Sequence, residues 1–162
     1  MNPAPKGIGD RYHRETKYSR DSLGGTHALA PPAAEQFTCY NNAELKIPLP
    51  QGLSFPAADF WNILAARRSQ RDFNDDALSF DDFCRLLFAV QGVTERSPGC
   101  LFRTVPSAGG LYPVETYIVP RRIVSLDPGI YHVNVLHTCL ELLRMGSFER
   151  SLAEAALGQT MV

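Results

Sequence analysis

The sequence predicts an α+β fold in one domain behind an N-terminal arm. Three observations point there. Apolar residues recur at helical spacing over Ser54–Ala66 and again over Ser79–Gly92. Val114–Val119 alternates with the period of a strand. Asp127-Pro128-Gly129 then forms a turn into a second short strand pattern, so the two strands can pair.

With 162 residues, the chain is long enough for one domain with a real core. The formal net charge is −1, so there is no general pull toward nucleic acid or an anionic membrane. Any basic patch must be local. No apolar run reaches the roughly 18 residues of a membrane span. Met1–Leu23 is polar and lacks the apolar core of an export signal, so a cytoplasmic location is expected. Cys39, Cys84, Cys100 and Cys139 are scattered with no C-x-x-C pair. Free thiols are therefore expected, and no zinc site.

Residues 1–32 carry Gly, Pro and charge without apolar periodicity. They read either as a disordered tail or as an arm that orders against a partner subunit. Tyr12, His13, Tyr18 and Leu23 would give an arm something to pack. The domain proper is residues 33–162. Lys46-Ile47-Pro48-Leu49-Pro50 is a Pro-fixed extended strap, expected on the surface. In the first helix, Ser54 can cap, Pro56 suits the first turn, and Asp59 favours the positive end. Phe60, Ile63 and Leu64 share a face, with Trp61 beside them, and the helix ends at an Arg pair.

Ser79 with Asp82 opens the second helix in the manner of a capping box. Phe83, Leu86, Leu87 and Val90 form its apolar face, and Gly92 ends it. Thr94–Arg103 is a polar loop and Pro106–Gly110 a turn. The strand Val114–Val119 points Val114, Thr116 and Ile118 one way, and a second strand covers Gly129–Val133. Leu136–Arg144 is too short an apolar run to assign. Ser147 caps a last helix, with Leu152, Ala155, Ala156 and Leu157 inward and Gly158 as its stop. Only two clear strands emerge, and a two-stranded ribbon alone is marginal in water. The chain is therefore expected to be the first part of a larger fold, or to be completed by a partner.

Two stretches could carry chemistry. Arg67, Arg68 and Arg71 crowd three guanidinium groups into one short span, with Ser69 between. Guanidinium forks match phosphate oxygens, and a hydroxyl adds a bond. The same residues could be a solvated helix end, with Arg complementing the negative dipole or paired to Asp72, Asp75 and Asp76. A nucleic-acid role is weaker, because the run is short and the chain is not basic. Ser107-Ala108-Gly109-Gly110 would let a ligand approach the backbone closely, or simply be a tight turn. Leu111, Tyr112 and Pro113 add an apolar edge. Glu115 could be a catalytic acid, but a solvent-face or ion-pair role is the simpler reading. His132 could donate a proton or be a core histidine. Gln91 could reach a polar ring edge or cap its helix. Cys84 and Cys139 fit as small core residues.

In series, Arg67-Arg68-Ser69-x-Arg71-x-Phe73, the helix ending in Val90-Gln91-Gly92-Val93-Thr94, and Arg103-Thr104-x-Pro106-Ser107-Ala108-Gly109-Gly110-Leu111-Tyr112-Pro113-x-Glu115 resemble the FMN-dependent nitroreductase family. They are more similar still to its SagB-type branch, which includes azoline-oxidising dehydrogenases of thiazole- and oxazole-containing peptides. Tyr12-His13-Arg14-x-Thr16-Lys17, Gly129-Ile130-Tyr131-His132 and Ala155-Ala156-Leu157-Gly158-Gln159 extend the resemblance over nearly the whole chain.

The resemblance implies an α+β fold with a mixed sheet flanked by helices, and FMN held at a homodimer interface. It implies that Arg67, Arg68 and Arg71, with Ser69, hold the FMN phosphate and ribityl chain. Pro106, Ser107, Ala108 and Gly109 would lie along the isoalloxazine ring, with Gly110 and Leu111 adjacent. NAD(P)H or oxygen would exchange electrons with the flavin, and a small molecule or peptide would be the substrate. Full-length members continue well beyond Gln159, and their catalytic Lys-Tyr pair has no counterpart here. The catalytic residues are thus unassigned. The alternative is a non-enzymatic, truncated or degenerate domain acting as a binding or partner-completed module.

Overall fold

The computed structural model describes residues 7–17, 37–98 and 100–159. The chain divides into two compact units, Met1–Ala34 and Glu35–Val162. In the first, helix α1 (Ile8–Glu15) sets Ile8 and Tyr12 one turn apart, both exposed. Arg11 pairs with Glu15 at 2.8 Å one turn on, and the Thr16 hydroxyl donates to the Tyr12 carbonyl. Such an exposed pair contributes roughly 0.2–0.5 kcal/mol. Tyr18 and Leu23, expected to pack, lie outside the described residues.

The second unit holds β1 (Leu45–Pro48), α2 (Phe60–Ala66), α3 (Phe80–Gln91), β2 (Val93–Ser97), β3 (Cys100–Arg103), β4 (Tyr117–Ile118), β5 (Gly129–Asn134), β6 (Cys139–Met145) and α4 (Glu149–Ala155). The class is α+β, as expected. One sheet runs β1-β6-β5-β4 and a separate ribbon pairs β2 with β3. Among the described residues every strand pairing is antiparallel, and a parallel bridge joins Leu78 to Ile123.

The core lies between α3 and one face of this sheet. Alternation along β5 and β6 turns Tyr131, Val133, Leu140 and Leu142 toward Phe83, Cys84 and Leu87 of α3. Full burial of each leucine contributes roughly 1.5–3 kcal/mol. Cys84 and Cys139 are buried, as their apolar settings predict. Ser79 caps α3 as expected: its Oγ accepts the Asp82 N–H at 3.1 Å and donates to the Asp82 carboxylate at 2.7 Å. That bond and the Arg85 guanidinium hold the Asp82 carboxyl below its ordinary range.

Several expectations are corrected. The first helix starts at Phe60 rather than near Ser54, because Asp59 takes the cap and accepts the Asn62 N–H at 3.0 Å. Its apolar residues are exposed, Trp61 by 75%. Leu86 and Val90 of α3 also face outward, because the sheet meets only the Phe83–Leu87–Gln91 side. The supposed polar loop Thr94–Arg103 is the β2–β3 hairpin, whose solvent-facing Glu95 and Arg96 obscure the strand pattern. The Lys46 strap contains β1, an edge strand that tolerates Pro48 at its end. The unassigned Leu136–Arg144 run contains β6, so the described sheet has four strands. The strand expected over Val114–Val119 shortens to Tyr117–Ile118, which does pair with β5. Ser147 does not cap α4, since its hydroxyl bonds to Glu149 and Phe148 holds the cap position. Leu157, expected inward, is 93% exposed.

Candidate functional site

The Arg cluster begins where α2 ends. Arg67 leaves the helix in an extended conformation, and residues 67–77 are exposed throughout. Arg68 turns back, and its Nη1 donates to the carbonyls of Ala65 (3.1 Å) and Arg67 (2.7 Å). It satisfies helix-end acceptors, as the bland reading anticipated. Among the described residues, the Arg67 and Arg71 side chains make no hydrogen bond or ion pair. The nearby acids do not neutralise them: Asp75 pairs with Arg122, and Asp76 accepts from Asn74. Ser69 is exposed between them.

The second stretch is a turn built by its own residues. Ala108–Gly110 forms one 3-10 turn, with Gly109 and Gly110 both at φ 66°. That left-handed region costs a residue with a Cβ, which explains two glycines there. Gly110 N–H donates to the Ser107 carbonyl at 3.1 Å. Tyr112 N–H donates to Ser107 Oγ at 2.8 Å, closing the loop. Pro106, Ala108, Gly109 and Leu111 face solvent. None of Arg67, Arg68 and Arg71 bonds to this turn.

A buried cation lies behind the turn. Arg103 is only 9% exposed, and its backbone N–H donates to the Tyr112 hydroxyl at 3.1 Å. Its guanidinium sits 4.4 Å over the Tyr112 ring, and Nη1 donates to Gln91 Oε1 at 2.8 Å. Gln91 Nε2 donates in turn to Thr116 Oγ1 at 3.1 Å and more weakly to the Val114 carbonyl. Gln91 thus fixes Arg103 to the segment between the turn and β4. Burial lowers the Arg103 pKa, and the charges of Glu115 and Tyr112 partly offset this.

The sheet face opposite α3 is also buried, but polar. His132 lies between Glu141 (Nδ1, 2.9 Å) and Glu115 (Nε2, 3.0 Å). Glu141 further accepts from the Tyr40 N–H at 3.0 Å and Asn134 Nδ2 at 2.9 Å, and Lys46 Nζ lies at 3.2 Å. Burial pushes the Glu141 carboxyl up. Bonds from His132, Tyr40, Asn134 and Lys46 outweigh it and hold the group at about 2. Glu115 is lowered in the same manner, burial opposing bonds from His132 and Thr38. At the edge, the Tyr40 and Tyr117 hydroxyls meet at 2.7 Å. Glu115 is therefore an ion-pair partner and His132 a core histidine, the simpler alternatives for both.

Sequence reasoning missed Glu141, Asn134 and Arg103. The available signal was register: pairing β5 with β6 sets His132 opposite Glu141. Among the described residues no cluster of ligating side chains could hold a metal, and no helix is long and apolar enough to cross a membrane.

A family model described as Nitroreductase family matches residues 64–158, a span that contains both predicted stretches. A Methanocaldococcus jannaschii protein named as a putative nitroreductase is 34% identical over 102 residues, covering 62% of this chain and 50% of that protein. The crystal structure of a putative nitroreductase from Anabaena variabilis superposes with a TM-score of 0.62 at 25% identity. That match covers 93% of this chain and 28% of the other. The chain thus spans about half the length of the curated relative it matches.

Proposed function

The chain belongs to the nitroreductase family, and from that premise we propose that it is the FMN-binding part of a flavin-dependent oxidoreductase of the SagB-type branch. Two separate observations support this reading: the Arg67 and Arg71 guanidinium groups have no partner among the described residues, and the small-residue turn at 106–111 faces solvent. The residues present fit the group. Arg67 and Arg71, with Ser69, offer donors to a phosphate dianion. Arg68 contributes charge, although part of its fork is committed to the end of α2. Pro106, Ser107, Ala108 and Gly109 offer a low surface for a flat ring, with Gly110 and Leu111 beside it.

When bound, the flavin would supply the hydride chemistry, with NAD(P)H or oxygen as its redox partner. This chain's residues would bind and orient it. Arg103 would add a buried positive charge behind the turn. A small-molecule or peptide substrate and a homodimer are part of the same proposal. The exposed Phe60, Trp61 and Ile63 face of α2 supports a second copy as neighbour. His132 and Glu115 are assigned to the fold, so no catalytic side chain is named.

The test is titration of the full chain with FMN and with riboflavin, which lacks the phosphate. Flavin fluorescence reports binding. Arg67→Ala with Arg71→Ala should weaken FMN by about tenfold or more and leave riboflavin unchanged. Equal affinity of the double variant for FMN removes the clamp. Failure of either flavin to bind favours a partner-completed module, which light scattering would identify by its assembly state.

A further inference from the structure

We infer that the cavity between residues 49–55, α3 and the β2–β3 hairpin is a second binding site, for an apolar molecule carrying one carboxylate, anchored by Arg96. The cavity has a volume of about 450 Å³, within the range that encloses small organic ligands. Its walls are apolar: Leu53, Phe55, Leu87, Phe88, Val133 and Val135 line it. None of Arg67–Arg71 or Pro106–Leu111 does; Gln91, which bonds to Arg103, is the lining residue shared with the surroundings of the cofactor site proposed above.

The charged groups in its lining are Glu95 and Arg96 of β2. Arg96 Nη2 makes a single long bond, 3.3 Å, to Thr138 Oγ1. Its neighbour Glu95 does not pair with it; that carboxylate accepts from Ser97 at 3.2 Å. Among the described residues, Arg96 has no ion-pair partner. It thus offers a planar fork whose shape matches a carboxylate. The adjacent Glu95 charge opposes any anion and a dianion such as phosphate more strongly than a single carboxylate. Nothing in the interior attracts a second charge. Burial, with Asp81 nearby, raises the Cys84 thiol pKa, so it stays neutral. The Gln91 amide is already spent on Arg103 and Thr116. Thr138 holds the rim at φ 52°, a conformation a β-branched residue rarely adopts.

Decanoate and decanol share one apolar chain, of roughly the length this volume admits, and differ in the head group. Each is titrated into the full chain below its micelle-forming concentration. Binding is followed by calorimetry and by amide chemical shifts. Decanoate should bind saturably, with shifts confined to residues around Leu53, Val135 and Thr138, and decanol about tenfold more weakly. Arg96→Gln should bring decanoate down to the level of decanol and leave decanol unchanged. Arg96 is on the surface, and circular dichroism checks that the variant folds. The comparison of the two ligands on the unaltered chain stands without it. Equal affinity for both, shifts spread beyond the cavity, or no saturation would overturn the assignment. FMN titration of the same samples keeps the two sites distinguishable.

Discussion

His132 Nδ1 lies 2.9 Å from Glu141 Oε2, and the two side chains are 1% and 0% exposed. Glu115 meets the other ring nitrogen at 3.0 Å. Each carboxylate thus meets a different ring nitrogen, and the imidazole bridges β6 to the segment before β4. Lys46 reaches the same Glu141 carboxylate from β1, its Nζ at 3.2 Å. A buried charge so surrounded can be kept, whereas the same charge without partners could not.

Acid should therefore unfold the chain in a defined window. The Glu141 pKa falls from 4.5 to about 2 on folding. A depressed carboxyl contributes stability that is present above its unfolded value and lost as pH falls through the folded one. Urea midpoints should hold down to about pH 4.5 and then drop toward pH 2, with Glu115 acting in the same direction. Glu141→Gln should lower stability at neutral pH by roughly 3–5 kcal/mol and flatten the acid limb. An unchanged acid limb in that variant would place the titration elsewhere.

At the alkaline end the sign reverses. The hydrogen bond with Tyr40, followed by burial and nearby negative charge, pushes Tyr117 up to about 12. A raised pKa gives stability that is complete below the ordinary value near 10 and lost as pH rises through about 12. Burial, with Asp127 nearby, also raises Tyr131, so phenolate absorbance should show both as late-titrating tyrosines, and Tyr117→Phe should remove one late step. If both late steps survive that substitution, another phenol carries one of them.

Local chemistry made part of the fold legible. Ser79 and Asp82 announced α3, and Gly92 its end, because caps depend on few atoms and short spacings. The β4–β5 pairing was legible because turn residues separate two alternating runs. The β2–β3 hairpin was not, since its polar solvent side hides the period. Ser54 looked like a cap until Asp59, nearer the apolar run, took the position. Leu86 and Val90 matched helical spacing equally well, and only the sheet decides which face is covered. The charge set was least legible. Lys46, Glu115, His132 and Glu141 are far apart in sequence, and only strand register joins them. Of the site, the small-residue turn was visible as a turn. That Arg67 and Arg71 have no partner among the described residues, while Asp75 pairs with the distant Arg122, is a tertiary fact.

Gly92 is required by space rather than by its dihedral angles. Its φ of −59° suits any residue, but an added Cβ would collide with the ring and carbonyl of Phe88. The carbonyl is fixed, because it accepts the Gly92 N–H at 2.7 Å. Gly92→Ala should cost roughly 1–3 kcal/mol in a denaturant titration. It should also disturb Thr104, whose hydroxyl donates to the same carbonyl. A loss within error would mean that the Phe88 ring gives way freely.

The most direct probe of the turn is Ser107→Ala. Ser107 Oγ accepts the Tyr112 N–H at 2.8 Å, across a loop whose residues Gly109, Gly110 and Tyr112 all have positive φ. Tyr112 is held at φ 43°, an unfavourable angle for an aromatic residue, so the bond offsets local strain. Without it, the N–H loses its partner and the loop can relax. The cost to global stability should be only about 1 kcal/mol, since the site is half-buried. The effect on flavin affinity should be larger in proportion, because the turn must keep its shape to receive a flat ring. Riboflavin and FMN should weaken by the same factor, in contrast to the Arg67/Arg71 double variant, which discriminates between them. Hydrogen exchange at the Tyr112 amide gives an independent reading and should accelerate. Faster exchange with unchanged affinity for both flavins would separate the turn's rigidity from cofactor binding and remove Ser107 from the proposed site.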